Sequence, residues 1–184
     1  GLTTTQLSGL STTALSQVST GALAGLNSAQ MASLTTTQVA GLTSAAVRAL
    51  GTTQLAAMET ANVAVLNSTN LAALSSVQVQ ALTTAQIVAL TTAQAAGLTT
   101  TQIQALTTAQ INQGLSVSQV AALTTAGLSA LSTAQVAALN STQLAALAIP
   151  QVVALGTDQV TALNAAELGG LSSSQIQALT TDKL

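Results

Sequence analysis

Leu82 to Ala105 reads LTTAQIVA, LTTAQAAG, LTTTQIQA, one eight-residue phrase written three times, and the rest of the chain varies it. Counted from Leu2 there are 23 copies, the last ending short at Leu184, and only the copy from Leu106 to Gly114 carries nine residues instead of eight. A short strict period constrains a fold severely, because whatever one copy buries every copy must bury. No single copy has enough apolar surface to do so alone. Residues 1–184 are therefore expected to form a single octapeptide-repeat array, with an irregular repeat at 106–114, in which stacked coils cover one another.

The octad carries the signals of a helix start. Position one is Leu except at Val18 and Met58, and position six is apolar in every copy, with only Ala95 small. Position two is Ser, Thr or Asn except at Gly51, Glu59, Ala148 and Gly156, a list that matches the preferences of a helix N-cap. Position five is Gln in 15 copies, so Thr83 and Gln86 stand as S/T-x-x-Q, the reciprocal capping box. Leu82 then precedes the cap and Ile87 follows the box, the two places of a hydrophobic staple. Position eight is mostly Ala or Gly, small enough for neighbouring helices to approach closely.

Other backbones fit this period poorly. A continuous α-helix turns about 800° per octad, roughly 80° beyond two full turns, so its leucines wander around the axis and form no stripe. A flat strand puts positions one and six on opposite faces. The surviving alternative is a β-solenoid with a corner in each octad, suited by the abundant Thr, Val and Ile. The expected fold is a mainly α repeat solenoid, a coil of very short capped helices, one per octad, each of about one and a half turns. Two, three or four octads per coil all remain compatible with the pattern, and three is preferred.

The rare residues agree with this register. Glu59 falls at an N-cap, Asp158 and Asp182 at the second helical position, and Glu167 at the third, where the positive end of a helix favours acids. Arg48 falls near a C-terminus, Pro150 lies within a first turn that loses no hydrogen bond to it, and Lys183 alone runs against the trend. From Leu2 to Ser33 the copies are degenerate, with Ala14 and Ala22 in the Gln position and Gln17 in the small one. The extra residue around Asn112-Gln113-Gly114 is expected to loop out or to shift the coil. Gly1 occupies position eight of an octad otherwise outside the chain, which reads as a segment cut from a longer array.

Composition restricts the chemistry. Only 3% of the residues are charged and the net charge is −2, which offers no electrostatic hold on nucleic acid. The apolar run Leu144–Ile149 is far short of the roughly 18 residues of a membrane span. His, Cys, Tyr and Trp are absent, so the Ser and Thr hydroxyls have no partner base, transition-metal sets cannot be assembled, and no catalytic, cofactor or metal residue is assigned. Asp158 and Glu167, in adjacent octads, form the one candidate carboxylate pair, although each is explained as a helix-start acid. Asn67-Ser68-Thr69 and Asn140-Ser141-Thr142 match the glycosylation sequon, but capping accounts for them better. Met31 and Met58 sit at core positions.

The octads LTTAQIVA at Leu82 and LSTAQVAA at Leu131, of the pattern L-[TSN]-T-x-Q-[IVL]-x-[AG], resemble repeat regions of very large bacterial secreted surface proteins of the adhesin-like, hemagglutinin-like and heme-utilisation kinds. The resemblance implies an extracellular or cell-surface setting and a fibre, sheath or stalk role. It transfers no haem ligand, since the chain has no His, Cys or Tyr. The expected function is thus a non-enzymatic structural element whose partners are copies of itself, end to end in a filament or longer array. The alternative is a surface-binding module for ice or a polysaccharide that uses the regular Thr and Ser rows, although positions two and three are expected to be taken up by capping.

Overall fold

Short helices follow one another in octad register through the computed structural model, which describes residues 2–180 and, of Thr180, the backbone only. Asp182, Lys183 and Leu184 lie outside the described residues. Among the described residues there are 21 α-helices and one π-helix, with no strand. Most helices are five or six residues long, as in Thr84–Ala89 and Thr92–Ala96. The β-solenoid alternative fails for a local reason. Each octad begins with an extended N-cap, such as Thr83 at φ −71, ψ 158, whose hydroxyl accepts from the Gln86 N–H at 3.1 Å while the Thr83 N–H donates to Gln86 Oε1 at 2.8 Å. With both orphan donors satisfied inside five residues, the helical turn needs no strand partner.

Some helices, such as Ser76–Ala81 and Thr84–Ala89, end at the position-one residue, and others, such as Thr92–Ala96, end one residue earlier at Gly97. Leu82 and Leu90 are extended, at ψ 137 and 138, and their N–H groups close the preceding turn onto Val79 O and Ile87 O at 3.2 Å. Among the described residues none, Gly included, has a positive φ, so these turns do not rely on the left-handed conformation that usually calls for glycine. Pro150 takes the second helical position, as its missing N–H allows. Glu59, Asp158 and Glu167 occupy the N-cap, second and third positions of their helices. Thr83→Ala removes a cap acceptor and should cost about 0.5–2 kcal/mol in a urea titration followed by circular dichroism, in spite of the better helix propensity of Ala.

The chain gathers into two compact units, residues 1–90 and 91–184, and the octads run through both. Within each unit a helix packs against the helix three octads away: Thr60–Ala64 against Thr84–Ala89 in the first, Thr125–Ser129 against Ile149–Ala154 in the second. Each coil therefore holds three octads and has three sides. Position six is buried from Leu7 to Val160 and position one from Leu34 to Leu163, so these two rows fill the centre. Position seven faces outward, where Arg48, Gln80, Val88, Gln104 and Thr161 are all exposed.

Position eight is small because it lies against the preceding coil. A Cβ added to Gly41 would collide with the Thr12 Cγ2, and one added to Gly170 would lie 2.7 Å from Ser141 Cβ and 2.8 Å from its carbonyl oxygen. Thr12 can rotate away, whereas the Ser141 backbone cannot. Gly170→Ala is accordingly expected to destabilise by about 1–3 kcal/mol, the range of an overpacked site, and Gly41→Ala by less, in parallel melts.

The nine-residue copy neither loops out nor displaces the coil, contrary to the expectation from its length. Gln110–Gly114 forms one π-turn, closed by the Leu115 N–H on Gln110 O at 2.9 Å. The wider turn absorbs one residue while Ile111 and Leu115 remain buried, and Asn112 Nδ2 donates to Ala138 O of the next coil at 2.8 Å.

Candidate functional site

The position-five glutamines, expected to serve as capping residues, are buried from Gln38 onward, and there the amide carries a second bond. The Gln86 carboxamide turns its oxygen to its own N-cap and its Nε2 to the coil before it, donating to Leu55 O at 2.8 Å and Met58 O at 2.7 Å. In the first unit the same link joins Gln38 to Leu10 O, Gln54 to Leu26 O and Gln78 to Leu50 O, at 2.6–2.8 Å. In the second unit Gln135, Gln143, Gln151, Gln159 and Gln175 reach Leu106, Leu115, Leu123, Leu131 and Leu147 at 2.6–2.7 Å. The acceptor shared by all these links is the carbonyl of a position-one residue between helices, extended at Leu50, Met58, Leu115 and Leu123, which lies outside the helical hydrogen bonding. One planar amide therefore supplies both a cap for its own helix and a partner for a buried carbonyl one coil away.

Variants at this position show which bond the fold retains when it cannot have both. Asn62 and Asn70 are one methylene shorter. They donate to Leu34 O and Leu42 O at 2.8 and 2.7 Å and form no capping box. Gly51, Ala148 and Gly156 lose the side-chain cap, yet the Gln three residues on still accepts from their N–H groups and still donates to the preceding coil. Glu167 does the reverse of Asn. Its Oε2 accepts from the Asn164 N–H at 2.7 Å, and a carboxylate has no donor for the coil before it.

Asp158 is exposed on the helix Thr157–Thr161 and Glu167 is buried at its rung, and no hydrogen bond joins the supposed carboxylate pair. Among the described residues no three His, Cys, Asp or Glu side chains gather in a way that could hold a metal ion. At the sequons the caps are as expected: Asn67 Oδ1 accepts from the Asn70 N–H, and Asn140 Oδ1 from the Gln143 N–H and the Thr142 hydroxyl. A shallow groove of ≈ 580 Å³ in the second unit is lined by Ser129, Ser132, Thr133, Thr157 and Asp158 among others. The Ser132 hydroxyl is engaged with the Gln135 N–H and the Ser129 hydroxyl donates to Ala154 O at 2.8 Å. Asp158 is the one carboxylate in this lining, and the hydrogen bonds of the Ser129 and Ser132 hydroxyls go to other groups.

The surface row at position three is freer than expected. Capping consumes position two only, and Thr12, Thr36, Thr60 and Thr84, one per coil on one side of the first unit, open their helices without taking part in a cap.

The ALTTAQ repeat model matches residues 39–68, 56–92, 114–149 and 152–184, together more than half of the chain. No curated protein and no solved structure matches it.

Proposed function

Since the chain belongs to the ALTTAQ repeat family, we propose that it is a non-enzymatic structural element, a fibre, sheath or stalk component outside the cell or on its surface, that associates with copies of itself. The observation that carries this reading is the polarity of the glutamine ladder. Each coil presents amide donors to the coil before it and bare carbonyls to the coil after it, so the stacking surface complements itself head to tail. A heterologous contact of that kind builds open filaments unless a rotation closes it. A net charge of −2 opposes such stacking very little. Among the described residues no helix is long and apolar enough to cross a membrane, and the side-chain inventory lacks the nucleophile and base pairs on which an enzyme would draw. Sedimentation and negative-stain electron microscopy over a concentration series test the reading: fibres or mass that grows with concentration are expected, and persistent monomers at high concentration would overturn self-association.

The row Thr12, Thr36, Thr60 and Thr84 favours a second reading, a module that binds ice or a polysaccharide through regularly spaced hydroxyl and methyl groups. Thermal hysteresis and polysaccharide pull-down on the chain decide it, and normal ice growth together with no retention would remove it.

A further inference from the structure

We propose that the first coil, residues 2–25, is a detachable coil, which opens and recloses as one body while the coils after it in the first unit stay folded. The ladder holds it from two octads of three: Gln30 Nε2 donates to Leu2 O at 2.6 Å and Gln38 Nε2 to Leu10 O at 2.8 Å, each 28 residues back. The third octad of the second coil has Ala46 at the ladder position, and an alanine side chain has no donor to offer. The following junction is held from all three, by Gln54, Asn62 and Asn70 on Leu26 O, Leu34 O and Leu42 O at 2.6–2.8 Å.

The same coil is poorly secured within itself. Ser11 and Ser19 cap their helices, but Ala14 and Ala22 return no side chain to the cap, so of the three helices only Thr4–Ser8 has a capping box. An apolar cavity of ≈ 220 Å³ lies among Leu2, Leu7, Leu15, Val18, Ala22 and Leu23, and such a void forfeits packing. Leu10 and Val18 at position one are half-buried, whereas Leu34, Leu42 and Leu50 in the later coils are each 4% exposed. Leu7, Leu15 and Leu23 do remain buried at position six, and this shared core couples the three octads, so they open together. The weakness lies in the choice of residues, since Ala14 and Ala22 also leave this coil a single ladder amide, that of Gln6, to offer on its other side.

The experiment is native-state hydrogen exchange on the whole chain at neutral pH. The hydrogen-bonded amides of residues 7–25 should share one opening equilibrium and open at least roughly tenfold more often than those of residues 55–66, because a bond between coils and two boxes are missing. A46Q, which puts an amide where the ladder lacks one, should raise protection across residues 7–25 by about three- to tenfold. The capping box that it completes with Thr43 acts only on its own helix, so a gain confined to residues 43–50 counts against the proposal. Q38M keeps the length of the side chain and removes its bonds to Leu7 O and Leu10 O. It should make residues 7–25 open about three- to tenfold more readily while residues 55–66 stay unchanged, and it decides alone if A46Q does not fold. Equal exchange of the two segments in the wild type, rates graded from one end in place of a common value, no gain over residues 7–25 in A46Q, or no loss there in Q38M would overturn the proposal.

Discussion

Leu90→Ala is expected to lower stability by about 2–5 kcal/mol, the cost of deleting most of a buried leucine side chain and leaving its cavity. Leu90 is buried in the central row of position-one residues and also forms the extended joint that ends Thr84–Ala89. The joint survives the substitution because it is a backbone feature, so the loss measures packing alone. Gln104→Ala is the control. Gln104 is exposed at position seven, and its replacement should stay within about 0.5 kcal/mol. Chemical denaturation followed by circular dichroism reads both variants, and equal losses would mean that the inner and outer rows had been exchanged.

Gln86→Ala should be nearly as damaging, at about 2–4 kcal/mol, since the Thr83 N–H and the Met58 carbonyl both lose their partners in a buried setting. Three further substitutions at this position separate the two bonds. Gln86→Glu keeps an acceptor for Thr83 but removes the donor and adds a charge, so its loss at neutral pH should match or exceed that of Ala. Gln86→Asn keeps the reach to Met58 at the expense of the box, as Asn62 and Asn70 do naturally, and should be the mildest. Gln86→Met preserves volume and neither bond, and should fall between Asn and Ala. Hydrogen exchange across residues 58–90 gives an independent reading. If Asn proved as harmful as Ala, the bond between coils would not be the one that matters.

The octad by itself determined the local structure, because a helix start is specified within five consecutive residues. Thr83, Gln86, Leu82 and Ile87 encode cap, box and staple through contacts no farther apart than a turn of chain. The same short range made the positions of Glu59, Pro150 and Asp158 legible, and the separation of buried positions one and six from exposed position seven followed from the period. Tertiary structure decided what one octad has no means of expressing. Three octads per coil, the burial of Gln86, and the bond from its Nε2 to Met58 O depend on residues 28 positions apart, beyond the span of any local pattern. A capping Gln and a Gln that also bridges two coils are the same letter in the same place. Only the neighbouring coil, by leaving the carbonyl of an extended leucine without an intrahelical partner, assigns the second half of the amide its role.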